Sequence, residues 1–555
     1  MVSMKPTALL RGLHRIWWEK LTCSFLLLRT GSAFVAVHSS SPQMSTAIAA
    51  TETQSQYWSE PRSGVPDGFL KAIRQEPWRG ALEPCSDHAL TELKVEGTVP
   101  TALQGTLFRN GPGRNRDGDR AYGHWFDGDG HVSKVVFRDG RVYAQNRFVS
   151  VGIFDPDAPE GEGQTQARAW TPRPGGWRKN LFKFPANPAN TSVMVKGGKL
   201  YALCEGGKPV ELDPVTLRTL GESDLGGIQA FYSAHPTTDV LTGETFNIGI
   251  GGPKGKMELT RLSPDGTLDK SASFTPPASL FWHDNTVTEE YIVAVTSPYV
   301  APLKSILGAL LGFGQLGNAY KWDDTIKSEA FFFSRDTLEL VKRVQLPGLP
   351  SSYHIVNAYQ EGGKGSSVSV VIAKLRNGGR EKLEATFKDL MSKRFSDDIL
   401  CDAYKYEIDV AAGVVASHGL AAPTKGALAM ELPTIDPRYV GRPNRFVFTN
   451  AILGDAGFIN CVQRGDFQGS DEAAWTTHDF GESRYAGEPI FVPKSEDANE
   501  GEGYVIVLVY NADTHTTDVE VLDAQRLEDP PLCVARVPWH MGTSFHGTFT
   551  PKAYV

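Results

Sequence analysis

Cysteine is scarce and unpatterned in this chain: six residues, at 23, 85, 204, 401, 461 and 533, with no CxxC pair among them. That argues against a disulfide framework and against a thiolate zinc site, and it suits a reducing compartment. Long basic runs are missing too, and with a net charge of −8 no nucleic-acid partner is expected. There is no Walker loop and no dinucleotide fingerprint. Nor is there a catalytic triad: "DTH" at 513–515 reads as a turn, and "GTSFHG" at 542–547 does not form a nucleophile elbow. Helical patterns are few, the clearest being 302–314 and 382–395.

What is present is globular in make-up. The 555 residues are 41% hydrophobic and 10% aromatic, with 56 glycines and 35 prolines, which fits neither a fibrous nor a disordered chain. The amino-terminal stretch stands apart. Arg11, Arg15 and Lys20 precede the apolar run "LTCSFLLLRTGSAFVAV" (21–37), Glu19 is the only acid before Glu52, and "HSSSPQMSTAIAATETQS" follows. A basic start, a short apolar core and small residues make a targeting segment. The run is short for a membrane span and is broken by Arg29. "GSAF" at 31–34 resembles the Ala-Phe junction of bipartite plastid presequences, so a plastid destination is expected. The alternative is an extension without an address and a cytoplasmic protein. Residues 1–60 are therefore set apart, and 61–555 are read as one domain.

From Gly97 onward short Val/Ile/Phe/Tyr/Thr runs alternate with Gly, Asp-Gly and Pro, as in "HVSKVVFRDGRVYAQNRFV" (131–149), a β pattern. One element recurs: an apolar strand ends in Asp or Ser, turns, and resumes with Leu or Val. Its copies are marked by Asp139, Asp213, Ser263, Ser334, Asp409, Asp479 (the loosest) and Asp523, at gaps of 74, 50, 71, 75, 70 and 44. Seven irregular copies suit an all-β, seven-bladed propeller, whose ring closure removes most exposed sheet edges.

Counting forward from the markers is informative. Asp213 reaches His235 after 22 residues, Ser263 reaches His283 after 20, Ser334 reaches His354 after 20, and Asp523 reaches His546 after 23; Asp409 reaches Glu431 after 22. If the markers lie on outer hairpins, the chain about twenty residues later enters the innermost strand of the next blade. Equivalent positions there converge on the axis, so four histidines distant in sequence could ring a metal without any local ligand motif. The other histidines (14, 38, 88, 124, 131, 418, 478, 515 and 540) are read as structural.

Ordered blocks along the chain carry a resemblance. They include "GTLFRNGPG" (105–113), "HWFDGDG" (124–130), "ANTSVMVKGGKLYALCEGGKP" (189–209), "SAHP", "YHIVNAY", "VGRPNRFVF" (440–448), "AGEPIFVPK" (486–494) and "FHGTF" (545–549). By these the chain resembles the carotenoid cleavage oxygenases, most closely their apocarotenoid-cleaving branch, from about Leu82 to the carboxy terminus. The resemblance implies a seven-bladed propeller with a loop and helix cap over one face. It implies a non-haem Fe(II), one per subunit, held by His235, His283, His354 and His546. It also implies three glutamates, Glu205, Glu431 and Glu488, that hold the far side of the ligand rings. The implied reaction adds O₂ across a C=C bond of a carotenoid or apocarotenoid to give two carbonyl products. The same scaffold would support a non-oxidative isomerase or isomerohydrolase, and a propeller that binds no metal is a further alternative.

A lipophilic polyene needs an apolar tunnel. Phe281, Trp282, Tyr353 and Phe545, beside the ligands, are read either as its lining or as propeller core. The segment 302–314, "PLKSILGALLGFG", is too short to cross a bilayer. It is read as a buried cap helix or as a patch that dips into a membrane, and the resemblance favours the membrane patch. Three positions depart from the family pattern: Cys204 before Glu205, Asn285 where Phe is usual, and His131 where an apolar residue is usual. A lysine that the stilbene-cleaving branch carries after its "NR-aromatic-V" strand is missing from "NRFVSVGIF".

Overall fold

The computed structural model describes residues 56–251, 256–278, 280–376, 401–470 and 474–555. The helix expected over 382–395 and the targeting segment up to residue 55 lie outside these. The fold begins slightly earlier than expected. Trp58 is fully buried with Leu70 and Ile73, and the Tyr57 N–H bonds to the Asp513 carbonyl, so residues 56–60 belong to the domain.

Seven antiparallel units follow one another around the ring. Blade 2 runs outward through Ser192–Lys196, Lys199–Leu203, Val210–Leu212 and Thr219–Glu222, and blade 3 through Thr237–Thr238, Thr245–Gly249, Met257–Leu262 and Leu268–Phe274. Blade 4 is Thr286–Val287, Tyr291–Thr296, Glu329–Ser334 and Leu340–Gln345. Blade 5 (Ser352–Tyr359, Val368–Leu375, Cys401–Asp409, Val414–Leu420) and blade 6 (Met430–Thr434, Phe446–Ala451, Cys461–Asp466, Trp475–Asp479) are joined in one sheet by the ladder pair Cys401↔Met430. Blade 7 runs outward from the short inner strands Arg484–Ala486 and Ile490–Pro493 through Gly503–Asn511, Thr516–Asp523 and Cys533–Val537. The ring closes twice: the early strand Lys94–Gly97 completes blade 7 on Cys533–Val537, and the last strand, His546–Thr550, lies innermost in blade 1, which continues outward through Gly105–Pro112, Gly130–Arg138, Arg141–Phe148 and His88–Glu92.

The sequence chemistry explains the units. Asp139-Gly140 forms a two-residue hairpin between the paired Arg138 and Arg141, with both φ positive (52° and 76°), the geometry that makes Asp-Gly a hairpin signal. Strands buried on both faces send alternate side chains to opposite neighbours. In "FFF", Phe331 and Phe333 pack with Phe246 and Leu259 of blade 3, while Phe332 packs with Val370 and Ile372 of blade 5. Apolar clusters of this kind fill each of the seven blade junctions. Six of the seven sequence markers sit between the third and fourth strands of a blade. The exception is Asp479, which ends the fourth strand of blade 6 rather than turning into it.

Candidate metal centre

The four histidines arrive at one place by equivalent routes. His235 and His283 stand just before the innermost strands of blades 3 and 4, His354 lies on that of blade 5, and His546 opens the last strand of the chain. One ring nitrogen from each lies within 4.8 Å of the other three. For metal–nitrogen bonds of about 2.1 Å, ligand atoms around one ion stand about 3 to 4 Å apart.

Glu431 Oε2 accepts from His354 Nδ1 at 2.6 Å, and Glu488 Oε1 accepts from His546 Nδ1 at 2.8 Å. Glu205 Oε1 lies 2.8 Å from His283 Nδ1 but out of line for a good hydrogen bond. A carboxylate on Nδ1 fixes the proton there and leaves the Nε2 lone pair facing inward. The Nε2 atoms of His283 and His354 are only 3.3 Å apart, a separation that a shared proton or a shared metal ion satisfies. His235 has no carboxylate, and its Nε2 is buried without a hydrogen-bond partner. A buried imidazole nitrogen with nothing to bind is what a metal would satisfy. The donor set therefore fits a metal, and neutral imidazoles suit iron, zinc, copper and nickel alike.

Electrostatics follow the same pattern. Burial and the three neighbouring imidazoles pull His235 well below the usual range. Burial also pulls on His354, but the charge of Glu431 and its hydrogen bond outweigh it and bring the group up to about 9. Burial raises each glutamate, yet the histidine partners, and Arg109 for Glu488, hold all three below the ordinary carboxylate value. The carboxylates differ in their second oxygens. Glu488 Oε2 accepts from Arg109 and from the Gly547 N–H (3.0 Å). Glu431 Oε1 takes the Cys401 thiol at 3.2 Å, and burial keeps that thiol protonated by pushing its pKa well up. Glu205 Oε2 has Thr191 Oγ1 at 3.5 Å.

Of the four aromatic residues singled out in the sequence, Phe281 and Tyr353 stand beside a ligand ring. Phe281 stacks parallel to His283 with centroids 5.8 Å apart and meets Tyr353 edge-on at 6.3 Å. Phe545 lies 5.4 Å from Phe126, edge to face. Trp282 does not join them: its ring is buried between blades 3 and 4 on Phe331 and Phe274. Sequence reasoning missed Phe126, Trp170 and Tyr320. They pack edge to face with one another and with Phe545 and Phe281, but come from segments far in sequence from any ligand. Phe126 lay in plain view inside "HWFDGDG". Of the three departures, Asn285 is buried and donates to Thr237 Oγ1 at 3.1 Å, Cys204 adjoins Glu205, and His131 is hydrogen-bonded to Asn146 within blade 1.

A propeller that gathers four imidazoles on its axis, three of them backed by carboxylates, defines a class of metal-centred proteins. Within that class the chain belongs to the retinal pigment epithelial membrane protein (RPE65) family, that of the carotenoid cleavage oxygenases, whose model matches residues 82–551. It is 31% identical over 505 residues to apocarotenoid-15,15'-oxygenase of Synechocystis sp., covering 88% of this chain and 97% of that protein. Carotenoid 9,10(9',10')-cleavage dioxygenase of Crocus sativus is 25% identical, covering 88% of this chain and 89% of the other. The crystal structure of cobalt-substituted Synechocystis ACO matches with a TM-score of 0.75 at 28% identity, over 85% of this chain and 98% of that one.

Proposed function

We propose that this protein is a non-haem iron dioxygenase that cleaves a C=C bond of a carotenoid or apocarotenoid with O₂, giving aldehyde or ketone products. The observation that carries the reading is the convergence of four imidazole nitrogens, three of them on rings that have a carboxylate at Nδ1. The names and chemistry of the relatives support the substrate class. His235, His283, His354 and His546 would hold one Fe(II), which supplies O₂ binding and activation when bound. Glu205, Glu431 and Glu488 fix the rings and offset the ion's charge. Phe281, Tyr353, Phe545, Phe126, Trp170 and Tyr320 offer aromatic faces and edges to a flat polyene, exclude water, and place one double bond beside the metal. No side chain is needed as nucleophile or general base, because both carbonyl oxygens come from O₂.

The substrate reaches this lining from a membrane surface. No helix among the described residues is long and apolar enough to cross a bilayer. The helix Leu303–Leu310 buries none of its residues, and Leu303, Phe313, Phe182 and Phe184 are 70%, 75%, 67% and 68% exposed. The two segments are joined by the Phe182 N–H to Leu310 carbonyl bond and by Trp177 stacking near Phe313. Arg178, Lys179, Lys183 and Lys304 lie among them, and residues 176–184 and 303–313 contain no acid. An apolar face edged with cations suits the interface of an anionic bilayer. Beside it lies a small crevice lined by Lys183, Ala309, Leu310 and Leu316. The basic, Ser/Thr-rich amino terminus supports a plastid membrane as the location.

The test is metal analysis of the purified protein, followed by incubation with a carotenoid and apocarotenals of graded length under ¹⁸O₂. Stoichiometric iron and rapidly sampled, labelled aldehydes are expected. A product isomeric with the substrate and free of label would instead establish the isomerase. Retained metal and turnover in the H283A/H354A double variant would refute the ligand assignment.

A further inference from the structure

Arg109 is 1% exposed, and a buried guanidinium needs a partner for nearly every N–H. It lies on the strand Gly105–Pro112, in register with Gly547 of the last strand. Alternation along its strand turns Phe108 and Asn110 toward blade 2, where Asn110 bonds the carbonyls of Ala189 and Ser192. Leu107 packs the other way, into the junction with blade 7, and Arg109 shares that side.

There every contact bears on His546. Arg109 Nη1 pairs with the Glu488 carboxylate, the same group whose other oxygen holds His546 Nδ1. Nε donates to Ser544 Oγ at 3.0 Å, and Nη2 donates to the Phe545 carbonyl at 3.2 Å. The side chain also accounts for the glycine after the ligand. A Cβ on Gly547 would stand 2.4 Å from Arg109 Cδ and 2.5 Å from the Phe108 carbonyl, so only glycine lets the guanidinium stem lie flat across the strand.

We propose that Arg109 is the positioning residue for His546. It clamps Glu488 and the Ser544–Phe545 backbone together, so that closing the ring on blade 1 also sets the direction of the fourth ligand. The proposal rests on the reading that the four histidines hold a metal. Its logic is local: the last strand, which carries His546, pairs with Gly105–Pro112 from the other end of the chain, whereas the innermost strands at His235, His283 and His354 pair with the strand that follows directly in sequence. The last strand of the chain therefore needs an anchor that the others do not, and a planar fork contacting three points fixes both translation and rotation.

The test uses the full chain. Metal release from the Fe(II)-loaded protein is driven by excess chelator, the visible absorption of the Co(II)-substituted protein is recorded, and the melting temperature of metal-free protein is measured. R109K keeps the charge but loses the fork. It is expected to melt near the wild type when metal-free, yet to release iron about tenfold faster and to show shifted cobalt bands. S544A keeps the Arg109–Glu488 pair, and a smaller change in the same direction is expected; it decides the matter should R109K fail to fold. Wild-type release rates and cobalt bands in either folded variant would overturn the proposal, as would a fall in metal-free melting temperature with the cobalt bands unmoved. A wild-type protein that takes up no stoichiometric metal would instead overturn the underlying reading, before any variant is compared.

Discussion

Replacing each supporting glutamate by glutamine should not cost the same, and the hydrogen-bond environment ranks the three. An amide presents one acceptor and one donor end. At Glu488 both oxygens already face donors: Oε1 receives His546 Nδ1 at 2.8 Å, and Oε2 receives Arg109 and the Gly547 N–H at 3.0 Å. Whichever way an amide at this position turns, an N–H meets an N–H, leaving a buried donor unpaired at about 1–3 kcal/mol. Arg109 loses its countercharge as well, and breaking a buried ion pair costs about 3–5 kcal/mol. At Glu431 the amide oxygen can stay on His354 Nδ1 and the Leu432 N–H (2.6 and 2.9 Å) while the NH₂ faces the Cys401 sulfur at 3.2 Å, a weak acceptor. Glu205 offers the same escape, because Thr191 Oγ1 can accept. E431Q and E205Q should therefore weaken Fe(II) binding about tenfold, and E488Q roughly 100-fold, the two ends of the range for partners of metal-bound histidine. E488Q alone should also lower the melting temperature of the metal-free protein. Anaerobic iron titration against a competing chelator, with calorimetry of the metal-free variants, reads both. Equal affinities and equal melting temperatures across the three variants would refute the reasoning.

Other outcomes follow from the same contacts. Burial holds His131 down at about 4 in the folded protein, below its unfolded value, so the folded state binds fewer protons and stability falls as pH drops from about 6.5 toward 4; H131M should flatten that fall in the urea midpoint, and a slope equal to the wild type's would contradict it. Trp282 is core, so W282A should destabilise by about 3–5 kcal/mol in chemical denaturation. F281A, at the centre, should instead raise KM and alter the product pattern with little loss of stability, and the reverse assignment would show in the same two assays. L303E and F313E should abolish flotation with anionic vesicles while leaving iron content unchanged, and undiminished flotation would remove the membrane surface from the account.

Which parts of the site were legible in the sequence depends on how each residue reports its place. The ligand histidines could be found because a propeller converts blade period into convergence: an outer hairpin marker followed by about twenty residues ends on the axis, and this held on blades 3, 4 and 5 and on the closing strand of blade 1. Blade 6 obeys the same count, with Glu431 second in its inner strand, Met430–Thr434. Glu205 did not, since it follows Lys199–Leu203, the second strand of blade 2, and only the family motif pointed to it. Trp282 takes the core reading of the two the sequence leaves open, because adjacency to a ligand in sequence does not decide which way a ring turns. Arg109 was quoted inside a motif and passed over, since a lone arginine in a β run says nothing of its partners until residues 379 and 435 positions away, Glu488 and Ser544, are brought beside it. The features invisible in the sequence are thus the ones created by closing the ring. A chain that must join its first strands to its last builds its fourth ligand from both ends, so a defect at either terminus of the fold should be read out at the metal before it is read out in the blades between.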